Sequence, residues 1–371
     1  MKKLITAIGL MSGTSSDGID ASIIRSDGDE KLDLIGNSFF LYENETRIKI
    51  RKLKEKVDKV TDLALYAKEI TALEKEITFL HYKAVNSIIK NLKLKKFEID
   101  LIGLHGHTIF HSFLDKKTKQ LGDGKFLSQL TGIDVIYDFR ENDLKNGGQG
   151  APLVPIFHKL LKKKLQLITP TVFVNIGGIS NLTYLDENDK MISFDSGPGN
   201  FLIDKLLQLK SNDKMQFDEN GKIAFKGSVD KNILDSYLSD TYYNSPPPKS
   251  LDVNDFNLSS IRGISLENSI TTLSELTSCT IVDSFNFFSR KPKKIILCGG
   301  GRKNKYICDR IKKISNIPTY NIDEYKMNGD FIESQAFAYL AIRSFLKKPI
   351  SFPKTTGVSI PMTGGKLIEF K

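Results

Sequence analysis

The stretch Gly9–Asp20 reads Gly-Leu-Met-Ser-Gly-Thr-Ser-Ser-Asp-Gly-Ile-Asp, crowding glycine, hydroxyl and carboxylate residues into one turn. Apolar runs flank it, Leu4–Ile8 before and Ala21–Ile24 after, and together they predict two strands joined by a hairpin. The tip, Ser12, Gly13, Thr14, Ser15, Ser16, Asp17, Gly18 and Ile19, would present backbone N–H groups and hydroxyls as a concave donor set suited to phosphate oxygens. Asp17 and Asp20 are poor direct phosphate ligands but can hold Mg²⁺ or an attacking water beside one. The plain alternative is a polar hairpin turn. No Gly-Lys-Ser/Thr follows, so this is no Walker A loop, and the strand after it excludes a dinucleotide fingerprint.

Other residues with chemical potential lie at predicted strand ends. Leu101–Leu104 is a short buried strand that delivers His105 and His107 to its C-terminal end, where ligands gather in open α/β sheets. A metal is poorly supported, because His-x-His lacks a third ligand and the chain has five histidines in all. Arg140, one of nine arginines, sits at another strand end and can give two parallel hydrogen bonds to a carboxylate. Gly147–Gly150 precedes a helix with proline in its first turn, a set of exposed N–H donors or simply a well-capped helix. Asp195 ends a strand and precedes a helix from Phe201; it either faces a ligand or serves as a turn residue. The strand Lys294–Cys298 opens into Gly299, Gly300 and Gly301, which admit a flat ring against the backbone.

The elements that must position these groups repeat. Leu32–Leu41 adds a third strand to the first hairpin. Thr171–Ile176, a turn at Gly177–Asn181, Leu182–Leu185 and Met191–Phe194 restart the same plan, with Gly177 and Gly178 as a second hairpin tip. A triphosphate would lie between the two tips. From Thr61 to Ile88, apolar residues recur at spacings of three and four, predicting one long helix that contains a structural His81. A helix from about Gln149 to Leu165 would link two α/β domains, 1–165 and 166–371, and Pro246–Ser250 is a loop inside the second. A chain of 371 residues suits two cores.

The net charge of +10 comes mainly from lysines spread along the chain. The densest runs, Lys162–Lys164 and Arg290–Lys294, lack interleaved aromatics, so nucleic acid is not the expected partner, although the field would draw in anions. No apolar run matches a signal peptide or a membrane span, and three cysteines without CxxC spacing fit a reducing cytoplasm.

Taken together, the motifs resemble the anhydro-N-acetylmuramic acid kinase family of the acetate kinase, hexokinase, Hsp70 and actin superfamily. The resemblance rests on Gly9–Asp20, on Arg140–Asp143 followed by Gly147–Pro155, on Phe194–Asn200 and on the glycines at 299–301, and it extends to about Leu340. It implies two RNase H-like domains of the actin-like ATPase type with a nucleotide cleft between them. It also implies ATP and Mg²⁺ as cofactors, and an anhydro sugar as small-molecule substrate, phosphorylated as its ring is opened by water. In that family the aspartate matching Asp195 is the catalytic base and the glutamate matching Glu333 faces the sugar, and the superfamily places its adenosine at the glycines matching 299–301. The resemblance leaves Arg140 and His105 as sugar contacts, Arg140 toward the lactyl carboxylate. The chain departs from the pattern at His107, where the family carries Gln, and at Leu251–Phe256, where it carries an arginine-containing polar stretch. A homodimer is left open. Competing classes are a kinase for an ordinary hydroxyl on the same fold, separable by assaying simple hexoses, and a non-enzymatic ATP switch, which no appended domain or acidic tail supports.

Overall fold

The computed structural model describes residues 3–13 and 15–370. The chain divides into two compact units.

The first unit is built on an antiparallel meander, β1 (Ile5–Ser12), β2 (Gly18–Ser26) and β3 (Leu32–Leu41). On the other side of β1, β4 (Leu101–Ser112) and β6 (Asp134–Tyr137) add in parallel. β5 (Lys117–Leu121) pairs with the second half of β4, and β12 (Lys366–Ile368) closes the edge antiparallel to β6. The helices are α1 (Asn44–Lys56), α2 (Asp62–Leu65), α3 (Ala67–Asn91), α4 (Gly124–Thr131), α5 (Glu141–Lys145) and α6 (Pro155–Lys164).

Side-chain alternation along the strands sets what each face packs. Ile8, Leu10, Ile102 and Leu104 join one core cluster with Ile70, Leu73 and Ile77 of α3. Between them Gly9 and Gly103, paired in register, face the last helix, α12 (Ile332–Phe345). A Cβ on Gly9 would lie 1.9 Å from the Ser334 carbonyl oxygen, and one on Gly103 2.4 Å from that of Phe337. The paired glycines thus let α12 lie against the bare backbone of the sheet.

The second unit repeats the meander with β7 (Thr171–Ile176), β8 (Ile179–Leu185) and β9 (Met191–Pro198). β10 (Lys294–Cys298) and β11 (Thr319–Asn321) add in parallel beside β7. Strand order is β3-β2-β1-β4-β6 in one sheet and β9-β8-β7-β10-β11 in the other, so the duplication of pattern extends to topology. α7 (Phe201–Ser211), α8 (Lys231–Leu238), α9 (Thr241–Asn244), α10 (Leu266–Asp283) and α11 (Lys305–Ser315) complete this unit. Its core gathers Val172, Val174 and Leu182 with Leu202, Leu273 and Ile307.

Several expectations are corrected. The second unit ends at Asp330, and Phe331–Lys371 belongs to the first, because α12 packs on β1, β2 and β4 and β12 pairs with β6. α12 is buried on every face from Ser334 to Arg343, as a helix laid on a sheet and covered in turn must be. The long helix breaks at Tyr66, and the one predicted from Gln149 begins only at Pro155. Among the described residues no helix is long and apolar enough to cross a membrane.

Candidate active site

In the first hairpin, β1 and β2 pair from Ile5↔Ser26 to Met11↔Asp20, leaving a short turn. The Ser16 amide donates to the Gly13 carbonyl at 3.1 Å, and Ser16 itself takes a left-handed φ of 54°. The Ser15 hydroxyl donates to Asp17 Oδ1 at 2.6 Å. Thr14 lies outside the described residues. Gly18 and Ile19 already belong to β2 and are buried, Ile19 in the core, so they can meet a ligand only through backbone. The tip proper is Gly13, Ser15, Ser16 and Asp17. Asp20 lies within β2, opposite Met11 and Phe39.

The three expected sugar contacts all fall in the first unit. β4 does not stop before His105 but runs to Ser112, kinked where its register against β1 shifts. Gly106 carries the kink, with φ of 77° and the Leu121 carbonyl 2.3 Å from where a Cβ would stand. The Arg140 guanidinium donates to His105 Nε2 at 2.9 and 3.2 Å and to the Gly150 carbonyl at 2.8 Å. His105 Nδ1 is 3.0 Å from the Gly106 carbonyl, so its proton sits there and Nε2 accepts from the arginine. Burial, with Arg140 beside it, holds the His105 pKa well below the usual histidine value and keeps the ring neutral. The ring packs on Phe337 of α12 at 4.3 Å, one turn beyond Glu333 in the first turn of that helix. The Gly147–Gly150 loop is fixed by buried Asp143, whose carboxylate accepts from the Gly150 amide at 2.6 Å and the Thr356 hydroxyl at 2.5 Å.

In the second unit, Asp195 is not at a strand end but inside β9, next to a register shift between Ser180 and Asn181. Such a bulge re-aims a side chain out of regular alternation. Its amide donates to the Lys249 carbonyl at 3.1 Å, its Oδ2 accepts from the Leu251 amide at 2.9 Å, and its carbonyl accepts from the Tyr242 hydroxyl at 2.7 Å. The segment 242–251 is thereby strapped along β9. Sequence reasoning missed what fastens the strap, which is Lys249. Its buried ammonium donates to the Tyr242 and Tyr243 carbonyls at 2.9 and 3.3 Å and lies 4.5 Å from the centroids of both Tyr242 and Phe287. Burial lowers its pKa to about 8. The same burial raises the Tyr242 phenol, with Asp195 adding to the shift.

Only Gly177–Gly178 forms the second turn, since β8 begins at Ile179. The Gly178 and Gly177 carbonyls accept from the amides of Gly199 and Asn200, each at 2.8 Å, which ties this tip to the start of α7. Gly299 has φ of 73° with Asn175 Oδ1 2.4 Å from a would-be Cβ. Gly300 meets nothing within 4 Å and is exposed, leaving its backbone open to a ring. Gly301 packs against Ile176. Among the described residues no group of three or more His, Cys, Asp and Glu is arranged for a metal.

Two sheets of the same order, each with a glycine turn in its first hairpin, define the class: an actin-like ATPase fold. The solved component A of (R)-2-hydroxyglutaryl-CoA dehydratase from Acidaminococcus fermentans shares that fold, with a TM-score of 0.50 at 9% identity over 92% of this chain and 100% of that one. At the level of sequence the match is narrower. The family profile of anhydro-N-acetylmuramic acid kinase matches residues 5–369, and the chain belongs to that family. Among curated relatives of that name, the protein of Pelagibacter ubique is 45% identical over 100% of both chains. That of Zymomonas mobilis is 38% identical over 97% of this chain and 99% of its own.

Proposed function

We propose that the protein uses ATP to convert 1,6-anhydro-N-acetylmuramic acid to N-acetylmuramic acid 6-phosphate, opening the anhydro ring with water in the same event. The setting is the recycling of cell-wall sugars in the cytoplasm. The observation that carries this reading is the seating of Asp195, a carboxylate beside a strand bulge and held through Oδ2 by the Leu251 amide. A fixed carboxylate is what water activation needs.

In this substrate O6 is bound to C1, so it has no proton for a base to remove. Asp195 takes a proton from water, and the oxygen of that water bonds to C1. The C1–O6 bond breaks, its electron pair forms the bond from O6 to the γ-phosphorus, and ADP leaves. Arg140, oriented by His105 and the Gly150 carbonyl, takes the lactyl carboxylate, and Glu333 faces the sugar. Ser12–Ile19 and Gly177–Gly178 hold phosphates, and Gly299–Gly301 holds the adenosine.

A metal held mainly by nucleotide oxygens fits this chain better than a protein cage, because the described residues offer no three-ligand cluster. Asp17 and Asp20 are the carboxylates that would reach it, directly or through water, and Mg²⁺ would neutralise charge on the transferring phosphoryl group. The test is ADP release: it should require the anhydro sugar and be absent with glucose or N-acetylglucosamine. Release with simple hexoses at comparable kcat/KM would instead identify a kinase for ordinary hydroxyls.

A further inference from the structure

His107, set aside as a departure from the family pattern, stands inside a hydrogen-bonded chain that ends on the phosphate hairpin. The Tyr42 hydroxyl donates to Ser12 Oγ at 3.2 Å. Ser12 Oγ lies 3.1 Å from His107 Nδ1, and His107 Nε2 lies 3.4 Å from Ser16 Oγ. Ser12 Oγ has two acceptor lone pairs and one proton, so it can take the Tyr42 proton and still give its own to Nδ1, which leaves Nε2 to carry the ring proton and donate to Ser16. Burial raises the Tyr42 phenol, keeping it protonated, and lowers His107 to about 3, keeping the ring neutral.

The bulge at Gly106 separates the partners of the two histidines. His105 meets Arg140 and Phe337, and His107 meets Ser12 and Ser16. Ser16 is the tip residue with the left-handed φ, a conformation uncommon for a residue that carries a Cβ.

We propose that His107 is a positioning residue for nucleotide phosphate. As the Nε2–H tautomer, with Ser12 donating to Nδ1, it fixes the Ser16 hydroxyl and the hairpin tip in the phosphate-binding conformation. This rests on the reading of Ser12–Ile19 as a phosphate loop and goes beyond it, since it gives the loop a support on β4 and assigns that support a proton.

The test combines a tautomer measurement with a thermodynamic cycle on the full chain. Nitrogen-15 NMR of the imidazole should show a neutral Nε2–H ring for His107 from pH 8 to pH 5; an Nδ1–H ring or an imidazolium in that range overturns the proposal. In calorimetry with ATP and Mg²⁺ but no sugar, His107→Leu should weaken binding by about five- to tenfold, the worth of a hydrogen bond in position. His107→Gln, which keeps a donor and an acceptor, should recover part of it. Ser16→Ala, at the half-buried end of the chain, should weaken binding similarly, and the double variant should be no worse than Ser16→Ala alone. Losses that add, or ATP affinity within twofold of wild type in both single variants, overturn it. If His107→Leu fails to fold, His107→Gln and Ser16→Ala still decide by the same calorimetry. Failure of the sugar-kinase reading would appear elsewhere, as absent turnover with normal ATP binding.

Discussion

Asp195 and Leu251, 56 residues apart in sequence, are joined by one hydrogen bond of 2.9 Å from the leucine amide to the aspartate Oδ2. The amide fixes the carboxylate without using a side chain, so Leu251 itself is replaceable but the path of the strap is not. This separates the chemistry of Asp195 from the support around it, and each can be perturbed alone.

Asp195→Asn keeps an oxygen for the Leu251 amide and removes the basic group. Turnover should fall about 10²- to 10⁴-fold, the usual worth of general acid–base catalysis. ATP and sugar binding should hold within a few-fold, and added Mg²⁺ should not rescue. Near-normal turnover would make Asp195 a turn residue, and rescue by magnesium would make it a metal ligand.

Lys249→Met keeps bulk while removing the ammonium from its box of two carbonyls and the Tyr242 and Phe287 rings. A loosened strap should lower kcat by about tenfold with little change in the KM for ATP, the loss expected from charged hydrogen bonds partly replaced by water. The sign with pH follows from the lowered pKa. The folded protein loses this cation as pH rises through about 8, where a free lysine would stay charged, so wild-type kcat should decline above that pH. The variant should lack that limb; equal profiles would show that the charge does not seat the strap.

The two glycines of the phosphate turn should behave differently. At Gly13 an added Cβ meets nothing closer than Ser15 Oγ at 3.9 Å, whereas at Gly18 it falls 2.4 Å from the Phe40 carbonyl and 2.6 Å from the Phe39 ring. Gly13→Val should fold with a Tm near wild type and bind ATP weakly. Gly18→Val should lower the Tm, because β2 can no longer pair closely with β3. Unchanged ATP affinity in Gly13→Val would remove the tip from the phosphate site.

Acid should destabilise the fold earlier than carboxylate protonation alone would. Burial lowers His81 to about 4 and His107 and His158 to about 3, and holds His105 well below its usual value. The unfolded chain takes up these protons below about pH 6.5 and the folded one does not, so stability is full above that pH and falls as pH drops toward the folded values. Each histidine contributes a slope of about 1.4 kcal/mol per pH unit in that window. Urea midpoints should therefore fall steeply from pH 7 to pH 5, and a flat response would mean that these rings are protonated or solvated in the fold.

What was legible in the sequence was local. The apolar runs around a glycine turn in 5–41 and their echo in 171–194 predict both meanders, and the motifs around Gly13, Arg140, Asp195 and Gly300 mark residues that lie on turns, beside bulges and at helix starts. What was not legible depends on partners far along the chain. Strands of three residues such as β11 and β12 carry no periodicity, and the return of 331–371 to the first sheet relies on glycines at 9 and 103 that pair only in the fold. Both bulges are absent from any pattern of two, so the sequence pattern puts Asp195 and His105 at strand ends that the strands run past. Lys249 looked like one lysine among many, because its aromatic box is assembled from Tyr242 and Phe287 across a loop and a helix.

The central claim is that one event adds water at C1 and phosphate at O6. Mass spectrometry of the product formed from ATP, Mg²⁺ and 1,6-anhydro-N-acetylmuramic acid in ¹⁸O-enriched water tests it most directly. The account predicts a single product heavier than the substrate by a phosphoryl group and one water, with the heavy oxygen at C1 and none in the phosphate. A product heavier by the phosphoryl group alone, or heavy oxygen in the phosphate, would contradict it.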